Sequence, residues 1–570
     1  MSAAAPPAPA ARRRRTQGIV AVVVALAVVA AGGAWSLRDA GVGDAGAPGP
    51  EGVAVAGAAP GCAGRPALAP RELRGMWITT VNNIDWPSRR GLPAEQARAE
   101  YLGWLDLAVR HHHNAVFVHV RPSGDALWPS EYAPWSEWLT GRRDGRDPGW
   151  DPMAFMVAEA HARNLEFHAW FNPYRGGQPA TVGGPGPKLD QLAPTHPLRR
   201  HRDWVVTYPS ADRPGSRLYF NPGIPEARRF VEDSMLEAVR RYDVDGVHFD
   251  DFFYPYPEAG QDFPDGAAFA RYGGRFADKH AWRRDNVNTL VREMSERIKA
   301  IKPWVKFGIS PFGIWRNART DPAGSATAGL QSYDAIYADT RLWVRRQWLD
   351  YVVPQLYWHI GFDKADYATL LPWWAATVEG TRVQLYIGQA DYRVGERGAW
   401  RDPAELDRQL ALNRRHGVRG SVHFSARQVR ADKLGAVSRY RRAHYAGPAL
   451  VPTMAQLPAA PPAAPTVTDA RRGDGWVALT WRGDGATSFA VYRVDGDVAR
   501  LVGTTRDTGW VDRTAPAGRP LSYCVSGVDR SGNEGRLSAA ASVGDREEPR
   551  RDPAGAPDAR PSTRKSDRPT

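Results

Sequence analysis

The sequence predicts an α/β chain: a (β/α)8 TIM barrel with long βα insertions, followed by a small all-β sandwich. Three observations carry this. Between residues 70 and 445, short apolar runs alternate with longer helical stretches, eight of each, which is the alternation such a barrel needs. The runs are nearly continuously apolar, as parallel strands covered on both faces must be. Polar and aromatic residues gather just after the runs, on the face where barrels of this kind build their sites. A doubly wound open sheet is the alternative, but no Gly-rich phosphate loop follows the first strand, as such a sheet would place there.

At 570 residues the chain exceeds one hydrophobic core and calls for two to three domains plus tails. Residues 1–35 hold Arg12–Arg15 and then the apolar run Gly18–Trp35. Basic then apolar is the layout of a cleaved export signal or an N-terminal membrane anchor, and it puts the remainder outside the cytoplasm, secreted or held at the cell envelope. If the segment is kept, it is a membrane contact. Residues 36–69 are rich in Gly, Ala and Pro and read as a flexible linker.

The barrel spans 70–445. Its first strand, Glu72–Val81, leads into Asn82, Asn83, Asp85 and Trp86, and a helix follows at Ala94–Arg110. The second, Ala115–Val120, ends in Arg121–Asp125, and helix Pro152–Arg163 starts behind Asp151, an N-cap candidate. The third, Leu165–Phe171, ends in Asn172-Pro173-Tyr174-Arg175, before a Gly/Pro-rich insertion to about Asn221. Helix Pro225–Arg241 leads to the fourth strand, and a second excursion, Pro257–Lys279, precedes helix Trp282–Lys302. The fifth to eighth strands are Val305–Ile309, Tyr351–Leu356, Val383–Ile387 and Gly420–Phe424. Their helices are Asp339–Trp348 (before the sixth), Tyr367–Val378, Pro403–His416 and Ala431–Tyr445. Residues 446–463 form a Pro/Ala linker. Residues 464–544 show alternating strands, VALTW, FAVYRV, GWVD and LSYCVSGVD, and resemble a fibronectin type III module through Trp481, Tyr492 and Tyr523. The tail, 545–570, is charged, Pro-rich and disordered by composition.

The net charge of +13 includes both tails, and no basic stripe with interleaved aromatics occurs, so nucleic acid is not an expected partner. A basic exported protein is instead drawn to anionic envelope polymers. Two cysteines, Cys62 and Cys524, cannot make a disulfide framework or a thiolate metal site. A bond between them would join a linker to a distant unit, so Cys524 reads as a small buried hydrophobe. No His-Glu-x-x-His spacing occurs, so neither a catalytic metal nor another cofactor is expected.

The chemistry centres on Tyr242–Tyr256. An apolar run there ends in adjacent carboxylates, Asp250 and Asp251, followed by Phe252, Phe253, Tyr254 and Tyr256. Alternation along a strand aims the two acids differently. Paired carboxyls walled by aromatics suit glycoside hydrolysis, where one carboxyl must be protonated. The 22 tryptophans fit a carbohydrate-handling surface, although core packing accounts for many. The fifth strand ends in Ser310-Pro311-Phe312-Gly313 without an acid, which removes a fourth-strand Asp working with a fifth-strand Glu. Adjacent acids suit substrate-assisted cleavage, in which the sugar's own 2-acetamido oxygen attacks and no enzyme nucleophile is needed. We assign Asp251 as general acid and Asp250 as its partner.

Around the pair, Arg121 and Arg175 are candidates to bind a carboxylate of the substrate, or to form structural ion pairs. Asn172 and Tyr174 are hydroxyl-binding candidates. Trp86, Tyr254, Tyr357 and Trp358 are candidates for stacking on sugar, with core packing as the alternative. His248 shares the side of Asp250 and either tunes it or fills the barrel interior. Gln355 and Asp391 end strands six and seven and would complete the pocket.

The segments ELRGMWITTVNNIDWPS, FVHVRPSGDALWPSEYAPWS, WDPMAFMVAEAHARNLEFHAWFNPYR, DVDGVHFDDFFYPYP, KFGISPFGIWRN, SYDAIYADTR, VVPQLYWHIG and YIGQADYRVG resemble the glycosyl-hydrolase-like (family-10-like) barrel family, over roughly residues 70–430. Its bacterial members include peptidoglycan glycan-strand hydrolases. The resemblance implies a hydrolase of cell-wall glycan, preferring strands stripped of peptides. The Asp-Asp pair is also similar to that of the O-GlcNAcase type of hexosaminidase. Two other functions fit the residues: a non-catalytic glycan-binding scaffold, and a hydrolase of another polysaccharide.

Overall fold

The computed structural model describes Cys62 and residues 67–544. The expected signal or anchor at 1–35, most of the 36–69 linker and the 545–570 tail lie outside these residues. Among the described residues no helix is long and apolar enough to cross a membrane.

Eight parallel strands make the barrel: β1 Leu73–Ile78, β2 Ala115–Arg121, β3 Glu166–Phe171, β4 Gly246–Phe249, β5 Lys306–Ile309, β6 Tyr351–Val352, β7 Gln384–Leu385 with Ile387–Gln389, and β8 Gly420–His423. They pair in chain order, and β8 pairs β1. β7 breaks at Tyr386, so its first piece pairs β6 and its second pairs β8, and the sheet closes through this one segment. All six residues of β1 and all seven of β2 are buried, as strands inside a helical shell must be.

Side chains fill the barrel in layers rather than leaving a pore. Near the strand starts Glu166 pairs with Lys306. Above them the His168 ring stacks on Phe117 at 4.3 Å between centroids and bonds the Tyr351 hydroxyl at 2.9 Å. Next comes His248, bonded to Trp77 Nε1 at 3.3 Å and Ser310 Oγ at 3.1 Å. Glycine makes this filling feasible: a Cβ on Gly308 would lie 2.1 Å from the Tyr351 ring. Gly308→Ala is therefore expected to destabilise the protein by about 1–3 kcal/mol through overpacking, read as a lower urea midpoint with an unchanged slope.

Helices Ala94–Arg110, Pro225–Arg241 and Tyr367–Val378 have the expected bounds. Helix Lys279–Ile301 starts earlier than expected, because the Asp278 carboxylate accepts from the backbone N–H of His280 and Ala281. The first insertion is not featureless. It holds an antiparallel sheet of Arg175–Gly177, Arg217–Phe220 and Val205–Tyr208, in that order.

The C-terminal unit has two sheets. One contains Val498–Thr505, Ser488–Asp495 and Leu521–Val528; the other contains Thr466–Gly473, Trp476–Arg482 and Gly509–Asp512. Its core includes Trp481, Phe489 and Tyr523. The unit is fixed to the end of the barrel opposite the strand C-termini. Arg71 bonds Glu534 at 2.9 Å, and Arg530 grips the Asp243 carboxylate at 2.6 and 2.8 Å. The 446–463 segment runs along this junction, and its Met454 and Leu457 pack with Leu73 and Tyr386 to cover the barrel floor.

The expectation for the cysteines is corrected: Cys62 and Cys524 are disulfide-bonded, 462 residues apart. The cause is local. Ala67–Leu68 adds to the edge of the larger sheet beside Ala499–Arg500, which brings the preceding Cys62 against the Cys524 strand.

Candidate active site

At the C-terminal ends of the strands lies a cavity of about 290 Å³, close to the lower limit for small-ligand clefts, about 300 Å³. Asp250 and Asp251 both line it. They diverge as strand alternation requires. Asp250 leans toward β3: its Oδ2 accepts from Asn172 Nδ2 at 2.5 Å and Trp170 Nε1 at 3.2 Å, and its Oδ1 from the Phe252 N–H at 3.0 Å. Asp251 leans toward β6: its Oδ1 accepts from Gln355 Nε2 at 3.0 Å, and its Oδ2 from the Tyr256 hydroxyl. Gln355 also donates to the Ser310 carbonyl, which fixes its amide.

Burial, then the charge of Asp251, push Asp250 up to about 6, and burial also raises Asp251. Two such groups do not both ionise readily. The donors around them decide which carries the proton. The three partners of Asp250 are N–H groups, which only donate, so they favour its ionised form. Tyr256 is a hydroxyl, which can donate to a carboxylate or accept from a carboxylic acid. The field alone favours a proton on Asp250, but the donor inventory favours one on Asp251. The inventory prevails, because a proton on Asp250 would face an N–H.

The other strand-end acids are committed elsewhere. Asp85 accepts from the backbone N–H of Thr79 and Arg427 and from Ser425 Oγ. Asp125 accepts from the Ser123 N–H. Asp339 caps a helix at Leu342 and accepts from Trp315. Asp391 pairs with His423 at 3.0 Å behind β8, away from the cavity wall.

Of the other residues singled out in the sequence, Arg175, Gln355 and Tyr357 line the cavity. The Arg175 guanidinium lies 4.4 Å over the Phe252 ring and donates to Asn172 Oδ1 at 2.7 Å. Asn172 is buried behind the wall and acts by orienting Asp250 and Arg175. The rest are placed elsewhere. Arg121 is fully buried and donates to the Asn172 and Pro173 carbonyls. A β-bulge between His119 and Arg121 breaks the alternation that would have aimed it inward. Trp86 is core, with Nε1 on the Ala97 carbonyl. Tyr254 packs edge-on against Phe263 and Tyr337 under the second excursion. Tyr174 is buried with its phenol outside the wall, and Trp358 packs edge-on against Phe312. His248 fills the barrel interior, its ring nitrogens bonded to Trp77, Ser310 and Tyr351.

Sequence reasoning missed Trp77, His119, Trp170, Tyr392 and Phe424 in the wall. For Trp170 a signal existed: it stands two residues before Asn172 and so shares its side of β3. Among the described residues no group of three or more His, Cys, Asp or Glu is arranged to hold a metal ion.

Three comparisons bear on the site. The family described as glycosyl hydrolase-like 10 matches residues 72–404. The glycosyl hydrolase YngK of Bacillus subtilis (strain 168) is 45% identical over 489 residues, 83% of this chain and 93% of that protein. The glycosyl hydrolase DigH of Escherichia coli (strain K12) is 42% identical over 353 residues, 60% of this chain and 77% of that protein.

Proposed function

The chain belongs to the glycosyl hydrolase-like 10 family, and on that premise we propose that it acts at the cell envelope on peptidoglycan glycan strands freed of peptides. The observation that carries the reading is the buried Asp250–Asp251 pair, the one set of strand-end acids lining the cavity among the described residues. Asp251 gives its proton to the glycosidic oxygen as the anomeric C–O bond breaks. The 2-acetamido carbonyl oxygen of the same sugar attacks the anomeric carbon, while Asp250 accepts the amide N–H hydrogen bond and balances the developing positive charge. Water then opens the cyclic intermediate, losing a proton to Asp251. Both sugars of the strand carry the acetamido group this route needs, and Arg175 supplies a cation for the lactyl carboxylate that peptide removal frees.

The test is digestion of peptide-free glycan strands, with an acetamido-free α-glucan in parallel and mass analysis of the products. Fragments from the strands alone support the reading. Fragments from the glucan, or strand binding without fragments, contradict it.

A pH dependence follows. The pair must hold one proton, and burial raises the proton affinity of both carboxyls, so kcat/KM should fall as pH rises above the ordinary carboxylate range. The sign for stability is the same. A carboxyl whose affinity for protons is raised by folding adds stability below its unfolded value, lost as pH rises through about 6. A pH–rate profile checks the first, and urea midpoints at pH 5 and 8 for wild type and Asp250→Asn check the second.

A further inference from the structure

His119 sits at the end of β2 in the cavity wall, and its side chain is 0% exposed. Its ring lies flat on Trp170, 4.0 Å between centroids at 10°. Neither ring nitrogen has a hydrogen-bond partner. Buried polar atoms are nearly always paired, so two unpaired nitrogens on one ring require a reason. Trp170 has given its one N–H to Asp250, and the Asn172 amide is engaged by Asp250 and Arg175, although it also reaches toward the ring and supports its protonated form. The ring forms part of the cavity wall.

The chemistry of the missing partner is constrained. Burial, then the nearby Arg175, hold the imidazole well below its ordinary range, so it is neutral near pH 7. A neutral imidazole offers one N–H and one lone pair. That combination fits a hydroxyl, which both accepts and donates, better than a carboxylate or an ammonium group. Trp170 joins this ring to Asp250, so the hydroxyl belongs to the sugar over the acids.

We propose that His119 is a substrate-binding residue that hydrogen-bonds a hydroxyl of the sugar whose glycosidic bond is cleaved, an assignment that rests on the glycan-hydrolase reading above. The ring also packs, so the decisive variant keeps the packing. His119→Phe retains a flat ring on Trp170 and removes both nitrogens. His119→Asn and His119→Gln restore a donor and an acceptor at the two ring-nitrogen positions.

The test compares these proteins on peptide-free glycan strands. Binding of a GlcNAc–MurNAc tetrasaccharide is measured by calorimetry in an Asp251→Asn background, and folding by urea midpoint. For His119→Phe we expect kcat/KM and tetrasaccharide affinity to fall about ten- to a hundredfold. Its urea midpoint should be unchanged or higher, and the alkaline limb of its pH profile should stay where the wild type has it. One of the two amide variants should recover part of the loss. Wild-type kinetics and affinity in His119→Phe overturn the proposal, as do losses that track a lowered urea midpoint in all three variants. A wild-type protein that neither binds nor cleaves the strands overturns the substrate reading and this proposal with it; an active wild type beside an unimpaired His119→Phe overturns this proposal alone.

Discussion

Asp251→Asn should lower turnover on peptide-free glycan strands by about 10²–10⁴-fold, the range removed with a general acid, while strand affinity stays within a few-fold of wild type. The amide keeps the volume and still accepts from Gln355 Nε2 or Tyr256, which hold the carboxylate now. It has no proton of suitable acidity to give. Asp250→Asn should be comparably slow for a different reason. Three N–H donors converge on that carboxylate, and an Asn there turns one of its own N–H groups toward a donor. It also removes the charge that would balance the positive centre forming at the sugar. A substrate with a leaving group that needs no proton separates the two roles: it should restore much of the rate of Asp251→Asn and little of that of Asp250→Asn. Recovery in the opposite order would exchange the assignments.

Arg283→Ala should have the largest effect on stability, about 3–5 kcal/mol, the range for removing one partner of a buried ion pair. Arg283 on helix Lys279–Ile301 is 1% exposed in its side chain and Asp265 is 0% exposed. The guanidinium binds the Asp265 carboxylate at 2.6 and 2.8 Å, and also meets Asp262 Oδ1 and the Tyr337 hydroxyl at 2.7 Å and the Phe263 carbonyl at 2.8 Å. One residue therefore clamps the second excursion to the barrel. Without it, Asp265 keeps only Lys279 at 3.0 Å. The excursion directly follows Tyr256, the hydroxyl partner of Asp251, so activity should fall along with the urea midpoint. A loss below about 1 kcal/mol would mean that Lys279 and water replace the clamp, as they do at exposed pairs.

The barrel was legible because its signals are local. Pro225 opens one helix, Asp366 caps another through the Ala368 N–H, and both helices begin where the sequence puts them. The acids were legible because two carboxyls at one strand end have few structural uses. The first insertion was opaque: it is rich in Gly and Pro, and its first strand, Arg175–Gly177, pairs with the distant Arg217–Phe220 rather than with a neighbour in sequence. The aromatics divided in a way that composition cannot show. Trp86 and Tyr254 stand after strand ends just as Tyr357 does, yet tertiary packing takes the first two into the core and leaves the third at the cavity. Arg121 was misdirected by a single extra residue in β2. The disulfide was hidden because a two-residue strand, Ala67–Leu68, adding to a distant sheet, decides it.

The most direct trial of shared-proton catalysis counts new reducing ends released from purified peptide-free strands by wild type, Asp250→Asn and Asp251→Asn under single-turnover conditions. Wild type should release them, less readily as pH rises and the pair loses its proton, and each variant should bind the strands and release almost none. Wild-type release by either variant would contradict a role for the pair in breaking the bond.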